Sequence, residues 1–434
     1  MKLIYICDLK PIIINRVEYL KLATICITSL GLQIKTQRLL NMETLRENAT
    51  FEKCGISLDQ IEFYYYFSWW IGGATSTFIS VAGIILNGIA VCILCNKREA
   101  PCLFNRLLIS LAVMDNLFLS TTLFDAFKDQ LTKPPLPFNF AYIFVNILYP
   151  VRSISMCSSI YITVGLSFER YTFLVKPLHH RTRHNRKVFS RLLMYIISTV
   201  TFSLLYCIPK FLDLEIKEIS NCEMSSANNK TWPDGETQNC TIHFDIEPTE
   251  VRQNPYYILW YINVSNLVVT GLCPGVLLAF FNYNIYTLLK QSKIQRASMI
   301  FSNRIRNECR EHIENCQDNR RTFILFSIVV LFVMCHSLRV VMNIEEVTNV
   351  ARDIEGSRQC PLRYWAIIII PISSLLLQIN AGTNFFIYCK FDEKFREMFL
   401  STISKSIQTN TNTNLHRNMY EFQERVFLEL KDTQ

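Results

Sequence analysis

An acidic residue lies in the middle of an apolar stretch, where a carboxylate is costly. Asp115 follows the apolar residues 111–114, and an uncompensated carboxylate at that depth in a hydrocarbon layer costs at least about 2.5 kcal/mol. Other polar residues at comparable depth are scarce: Asn87, Ser159, Asn380 and Asn384. Carboxylate, amide and hydroxyl oxygens without a nearby Lys or Arg would accept a cation or a proton. We predict a sodium site at Asp115, Ser159, Asn380 and Asn384; a static polar core is the alternative.

Opposite charges stand next to each other at the end of another apolar stretch, in Glu169-Arg170-Tyr171. Such neighbours commonly anchor a helix at a membrane boundary. A charged group there can also form a contact that breaks when helices rearrange, which is the basis of a two-state switch.

Two arginines interrupt apolar stretches, Arg152 and Arg339. Arg339, Asn343 and Glu346 follow at positions i, i+4 and i+7, which lie on one stripe of a helix. We predict that this stripe lines a ligand pocket, with Glu346 pairing with Arg339 or with a cation of the ligand. Arg152 would meet carbonyl oxygens or an acidic group of the ligand. Structural ion pairs between helices are the alternative.

The elements that position these residues follow from composition. Only 18% of the 434 residues are charged, against about 25% in ordinary globular proteins. Thirty Phe, nineteen Tyr and only twelve Gly exclude disordered and collagen-like chains and nucleic-acid-binding arms. Seven apolar runs are each long enough to cross a hydrocarbon layer: 69–95, 107–124, 141–168, 192–209, 256–289, 322–342 and 364–389. Because the backbone must be satisfied within each run, we predict an all-α membrane protein, a seven-transmembrane helix bundle.

The orientation follows from the basic residues in the short connections. The stretch 170–191 and the loop 290–321 are rich in Lys and Arg, which places the connections after the third and fifth helices in the cytoplasm. The N-terminus is then outside. Three glycosylation sequons, at Asn48, Asn229 and Asn239, fall on the predicted outer side.

The chain divides into four predicted parts. They are an extracellular N-terminal segment (1–68), the helix bundle (69–389), a short amphipathic eighth helix (390–400) and a cytoplasmic Ser/Thr-rich tail (401–434). The eighth helix would place Phe391, Phe395, Met398 and Phe399 on one face, along the inner membrane surface. The tail is either a phosphorylation switch or an unstructured polar extension.

Four cysteines are predicted on the oxidising side, Cys54, Cys222, Cys240 and Cys360. Four cysteines allow three pairings. We favour Cys222–Cys240 within the second outer loop and Cys54–Cys360 between the N-terminal segment and the third outer loop.

The second outer loop is acidic. Residues 210–252 hold nine acids against four bases, and such a surface attracts cationic ligands and speeds their arrival. The alternative is that these charges only solvate the loop.

An ordered set of motifs resembles the rhodopsin-like G-protein-coupled receptors. They are Asn87, Leu111-Ala112-x-x-Asp115, Glu169-Arg170-Tyr171 with Pro177-Leu178, Pro274 and Asn384-Phe385-Phe386-Ile387-Tyr388. Finer matches resemble invertebrate (nematode-type) FMRFamide-like neuropeptide receptors: Cys207-Ile208-Pro209-Lys210-Phe211-Leu212, Asn282-x2-Ile285-Tyr286 and Cys335-His336-x2-Arg339-x3-Asn343-x2-Glu346.

The resemblance implies a plasma-membrane receptor for a short amidated peptide, which signals through a heterotrimeric G protein without enzymatic chemistry or a cofactor apart from structural Na+. Arrestin and a receptor kinase are implied as partners, and nucleic acid is not. Arg170 would enter the G-protein interface, held off by Glu169 in the inactive state, with Asp318 as a second acidic partner and Leu178 as an apolar plug. Tyr171, Asn282 and Tyr388 belong to the same coupling region, and His336 to the ligand pocket.

The sequence departs from the family pattern at several positions. The usual Cys at the outer end of the third helix is absent near Val145, His336 stands at the usual Trp, and Leu338 replaces a kink-forming Pro. The rival functions are a chemosensory receptor for small molecules and a membrane transporter. The chain has no HExxH, GxSxG or phosphate-binding glycine loop and no inverted pair of broken helices, which disfavours an enzyme or a transporter.

Overall fold

The computed structural model describes residues 57–95, 103–131, 137–175, 185–222, 240–299, 308–354, 363–393, 395–402 and 404. In this part of the chain, seven helical segments are long and apolar enough to cross a membrane. They are span 1 (Asp59–Cys95), span 2 (Leu103–Ala126), span 3 (Phe138–Val175), span 4 (Phe189–Leu212), span 5 (Pro255–Gln291), span 6 (Thr322–Val350) and span 7 (Tyr364–Gly382). The predicted seven-helix bundle is confirmed.

Most helices continue beyond the predicted apolar runs. The described α-helices are Leu58–Ser68, Ser76–Cys95, Leu103–Leu131, Phe138–Ile143, Tyr149–Val175, Asn185–Tyr206, Glu250–Gln253, Pro255–Tyr257, Cys273–Met299, Glu308–Ile354, Tyr364–Gly382 and Asn384–Phe391. Wider π-helical turns occupy Trp69–Thr75, Phe144–Leu148, Ile258–Ser265 and Leu267–Leu272, and a 3-10 turn occupies Ile208–Leu212. The helix of span 6 is the longest because no Pro or Gly interrupts its polar flanks.

The bundle buries an apolar core and exposes apolar side chains on its outside. Leu111, Leu166, Leu278, Leu325 and Tyr388 are buried in one cluster. Large apolar side chains also lie on the outer surface, and Val276 is 68% exposed. A helix that is apolar on both faces needs lipid around it, which agrees with the membrane prediction.

Spans 1 and 7 approach closely at two glycines. A Cβ atom on Gly83 would lie 3.0 Å from the Cα atom of Gly382. Next to this contact, the side-chain amide of Asn87 donates to the backbone oxygen of Ala381 at 2.9 Å. Small residues thus let two helix backbones meet where a polar side chain can bridge them.

The sequence predicted one helix over the seventh apolar run, 364–389. The structure divides this run into two helices. The helix ends at Gly382, and a second helix begins at Asn384. Between them, the hydroxyl of Thr383 donates to the backbone oxygen of Ile379 at 2.7 Å. Such a bond to the preceding turn bends helices, and the break turns Asn384 towards the bundle interior.

A two-stranded antiparallel sheet lies between spans 4 and 5, in the stretch predicted to be the second outer loop. The prediction of an all-α fold contained no strand. Strand β1 is Leu214–Cys222 and strand β2 is Cys240–Pro248. Apolar residues alternate with polar ones over 214–217 of β1 and over 242–246 of β2, which is the sequence signal for a half-buried strand. The register pairs Ile216 with Ile246 and Cys222 with Cys240, so the backbone juxtaposes the predicted cysteine pair. We call these strands the hairpin, and the end of the bundle that carries them the hairpin end.

After the helix Asn384–Phe391, helical residues continue at 393 and 395–402. Phe395 is fully buried, with its ring centroid 5.6 Å from that of Phe385 and 5.7 Å from that of Tyr388. This part of the predicted amphipathic face therefore packs against the bundle. Its placement along a membrane surface stays a prediction.

Candidate functional site

Asp115 is buried at the centre of the bundle, with an exposed fraction of 2%. Its Oδ1 atom accepts a hydrogen bond from the Ser159 hydroxyl at 2.6 Å, and its Oδ2 atom accepts one from the Asn384 side-chain amide at 2.8 Å. Two of the predicted partners, from span 3 and from the helix after span 7, therefore meet the carboxylate of span 2. In the described part of the chain no hydrogen bond joins Asn380 to Asp115.

The surroundings of Asp115 hold oxygen atoms that fit a hard cation. The buried Tyr388 hydroxyl lies within electrostatic range of Asp115. Among the described contacts, this hydroxyl has no hydrogen-bond partner. Oxygen ligands of this kind suit a hard cation. No cluster of three or more His, Cys, Asp or Glu residues that could hold a metal ion occurs in the described ranges.

At the end of the bundle opposite the hairpin end, Glu169 and Arg170 are both buried. Glu169 Oε2 accepts hydrogen bonds from Arg191 Nη2 at 2.6 Å and from the Tyr195 hydroxyl at 3.3 Å, both on span 4. The sequence had assigned Glu169 to restrain its neighbour Arg170. The structure bonds this carboxylate to span 4, and the restraint of Arg170 by Glu169 stays a prediction. Sequence reasoning missed Arg191 as a partner because it counted this residue only as a loop charge.

Arg170 contacts span 6. Its Nε and Nη2 atoms lie 3.4 Å from the hydroxyl oxygen of Thr322, to which they donate. Its guanidinium carbon lies 5.2 Å from the ring centroid of Phe173. We call the end of the bundle with these contacts the Arg170 end. Thr322 was not among the predicted site residues, since nothing in the sequence pairs it with Arg170.

The other coupling residues of spans 3 and 5 occupy this end as well. The Tyr171 ring lies 5.9 Å from the ring of Phe281, between centroids. Asn282 donates its side-chain amide to the backbone oxygen of Leu278 at 2.7 Å, one turn earlier in its own helix. Asn282 therefore makes a local contact and does not reach the hydroxyl and guanidinium groups of the Arg170 contact.

At the hairpin end, Arg152 already has a partner within the bundle. Its Nη1 atom forms an ion pair with Asp125 Oδ2 of span 2, and its guanidinium lies 5.8 Å from the ring centroid of Tyr149. The interhelical ion pair that the sequence left as an alternative is thus present for Arg152. Asp125 had not been singled out from the sequence.

Arg339 of span 6 lacks such a partner. Its Nε atom is buried without a hydrogen-bond acceptor among the described residues, although Arg152 and Glu346 lie within electrostatic range. The predicted pairing of Arg339 with Glu346 is not among the described ion pairs. Seven residues advance a helix by about 10.5 Å, which separates the two side chains along the axis. Arg339 therefore offers unfilled donor capacity to a ligand.

Two further predicted pocket residues lie on the same helix. The His336 ring stacks on the Phe332 ring, with 4.1 Å between centroids. Asn343, one turn beyond Arg339, is buried. The stripe that was predicted from spacing alone therefore faces the interior of the bundle.

Sequence reasoning missed a carboxylate that joins several elements at the hairpin end. Asp213 is completely buried and accepts hydrogen bonds from Tyr149 at 2.9 Å, Lys210 at 3.0 Å and Tyr257 at 2.7 Å. Burial opposes ionisation of Asp213, but the bonds from Tyr257 and Lys210 outweigh burial and hold the pKa of the carboxyl below its ordinary value. We call this group the Asp213 junction. The sequence analysis had included Asp213 only as one of the nine acids in residues 210–252.

Several predicted residues lie outside the described residues. They are Asn48, Cys54, Leu178, Asn229, Asn239 and Cys360, together with the side chains of Cys222, Cys240 and Asp318.

Comparison with known proteins gives one family. A family model described as "7 transmembrane receptor (rhodopsin family)" matches residues 86–388. That range includes Asp115, Arg170 and Arg339 and continues to Tyr388.

The chain is also similar to individual receptors. It is 28% identical to the FMRFamide receptor of Drosophila melanogaster over 76% of this chain and 53% of that protein. It is 24% identical to the FMRFamide peptide receptor frpr-18 of Caenorhabditis elegans over 59% of this chain and 50% of that protein. The Sex peptide receptor of Drosophila melanogaster is 22% identical over 75% of this chain and 71% of that protein. The chain thus spans about half the length of the two FMRFamide receptors.

Proposed function

The chain belongs to the rhodopsin family of seven-transmembrane receptors, and on that premise we propose that it is a receptor for a short amidated, FMRFamide-like neuropeptide. It would signal through a heterotrimeric G protein from a multi-pass position in the plasma membrane, with its N-terminus outside. The observation that carries the choice of ligand is the similarity to two receptors named for FMRFamide, which covers more than half of this chain in each case.

The charges at the hairpin end support a peptide ligand with a cationic group. In the described strands, Glu215 and Glu218 are exposed and Lys217 is neutralised by Glu247 at 2.8 Å. The loop therefore presents excess negative charge, which attracts an Arg-containing peptide. Below it, Arg339 offers its unfilled donors to carbonyl or carboxylate oxygens of the same ligand.

The contact between Arg170 and Thr322 supports a mechanism of transduction. It joins span 3 to span 6 at the Arg170 end through long hydrogen bonds of 3.4 Å. Outward movement of span 6 would break these weak bonds and separate span 6 from Arg170, which opens this end of the bundle to a G protein. Ligand and G protein would then bias one two-state element from opposite ends of the bundle. Tyr171, Leu178, Asp318 and Tyr388 belong to the proposed coupling region, and kinase and arrestin would act on the Ser/Thr-rich tail.

The oxygen atoms around Asp115 support a sodium ion between spans 2, 3 and 7. Asp115 would hold the ion, with Ser159 and Asn384 orienting the carboxylate. A bound ion supplies a positive charge that offsets the buried carboxylate. The alternative, a neutral protonated Asp115, predicts no dependence of ligand affinity on Na+.

The experiment that tests the function is expression with a promiscuous G protein and a library of Arg-Phe-amide peptides. We expect a dose-dependent response that Arg170→Ala abolishes while surface expression persists. Arg396→Ala is the matched control, since Arg396 is an exposed arginine near the same end, and its response should equal that of the wild type. A response to small odorants but to none of the peptides would favour the chemosensory alternative and refute the proposal.

A further inference from the structure

We propose that Asp213 is the positioning residue that fixes the hairpin over the mouth of the ligand pocket, through a non-covalent junction of spans 3, 4 and 5. The effect of Asp213 on ligand dissociation rests on the proposed function. The effect of Asp213 on the position of the hairpin is independent of the proposed function.

The backbone of Asp213 lies at the base of the hairpin. Asp213 directly precedes β1, and its backbone oxygen accepts from the backbone nitrogen of Thr249, which directly follows β2, at 3.1 Å. The Thr249 hydroxyl also donates to the backbone oxygen of Leu212 at 2.6 Å. These two hydrogen bonds therefore join the start of β1 to the end of β2.

The side chain of Asp213 points from that base into the bundle. Tyr149 Oη of span 3 donates to Oδ2, and Tyr257 Oη of span 5 donates to Oδ1. Lys210, in the last turn of span 4, donates to Oδ2. Each carboxylate oxygen is thus satisfied, and one charged group ties three spans to the loop. Charge-assisted hydrogen bonds of this kind are about twice as strong as neutral ones.

The counter-charge is held in place by aromatic rings. Lys210 Nζ lies 5.4 Å from the ring centroid of Tyr261 and 5.9 Å from that of Tyr149. The Tyr261 hydroxyl donates to the backbone oxygen of Tyr206 at 2.8 Å, which fixes that ring against span 4. Among the described ion pairs, Asp213 is the acid that this ammonium contacts, so the rings hold Lys210 beside Asp213.

The junction also lies next to the ligand pocket. Tyr149 contacts the guanidinium of Arg152 on its own helix, and Phe138 at the start of span 3 packs against Phe244 of β2, with 5.0 Å between ring centroids. Loss of the Asp213 bonds would remove the polar link that the described residues make between the hairpin and span 3, and would leave the contact of Phe138 with Phe244.

Hydrogen exchange on the purified full-length receptor without ligand tests the junction. Asp213→Asn keeps the shape but removes the charge, and we expect the hairpin amides of 214–218 and 244–247 to exchange at least about tenfold faster. Tyr257→Phe removes one donor without stranding a charge, so its effect should be a factor of about 2 to 10. Glu215→Gln is the matched control, an exposed acid two residues further along, and should exchange like the wild type.

The double variant Lys210→Met/Asp213→Asn separates positioning from loss of folding, because it removes the buried ammonium together with its counter-charge. We expect it to fold and to keep the faster exchange of the hairpin amides, because the bonds from Lys210 and to the carboxylate are lost in it as well. If Asp213→Asn does not fold, Tyr257→Phe and the double variant still test the junction by the same exchange measurement. Wild-type exchange in Tyr257→Phe, or in Asp213→Asn, would overturn the proposal.

A binding experiment with the ligand distinguishes failure of this proposal from failure of the proposed function. With a labelled Arg-Phe-amide peptide, Asp213→Asn should raise the dissociation rate about tenfold, with an unchanged maximal G-protein response. If the peptide does not bind the wild type, the proposed function fails while the exchange result still decides the junction. If it binds and dissociates equally from both receptors, the hairpin does not cover the pocket and the inference is wrong.

Discussion

Replacing Gly83 by alanine tests the packing of span 1 against span 7. The added Cβ would lie 2.7 Å from Leu119 Cδ1 and 3.0 Å from Gly382 Cα. The leucine methyl can rotate away, but the Gly382 backbone can only move with its helix. Overpacking of this kind costs about 1–3 kcal/mol. A displaced span 7 would also weaken the bond from Asn384 to Asp115.

Gly88→Ala is the matched control on the same helix, because a Cβ atom there meets no atom within 4 Å. Both substitutions gain the same helix propensity of about 1 kcal/mol, so the difference between them isolates the clash. Thermal unfolding of the purified receptors should place Gly83→Ala about 1–3 kcal/mol below Gly88→Ala. Equal melting temperatures would refute the close approach of the two backbones.

The remaining predictions concern three buried charges. Arg191→Ala removes the ionic partner of Glu169 but leaves the bond from Tyr195, and it should lower stability by about 1–3 kcal/mol. Thermal unfolding measures the change, and a wild-type melting temperature would show that this ion pair does not form. Arg339→Ala should reduce the affinity of an amidated peptide at least about tenfold, whereas Lys217→Ala, at an exposed ion pair, should change it little; unchanged binding in Arg339→Ala removes this residue from the pocket. Asp115→Asn should abolish any shift in peptide affinity when Na+ replaces choline, and a persisting shift would place the ion elsewhere.

The sequence predicted the centre of the bundle well, and the reason is physical. Few polar groups occur inside apolar spans, so Asp115 had few possible partners, and Ser159 and Asn384 are the two that it contacts. The seven spans could be predicted equally well, because the length and apolarity of a run decide whether it can cross a membrane. The family resemblance, based on ordered motifs, is confirmed.

The ends of the bundle were less predictable, because polar residues are common there and any of them could pair. The partners of Arg152 and Glu169, namely Asp125 and Arg191, depend on how neighbouring helices cross. Asp213 looked like one acid among nine in its loop. The alternation of apolar and polar residues in 214–217 and 242–246 was the available signal for the hairpin, and the sequence analysis did not use it because the membrane signal was stronger.

Saturation binding of a labelled Arg-Phe-amide peptide to membranes that contain the surface-expressed receptor tests the central claim most directly. We expect a single saturable component that the unlabelled amide displaces, and that the corresponding free acid displaces at least about tenfold less well. Absence of saturable binding for the whole peptide library, with the receptor demonstrably at the cell surface, would contradict the account.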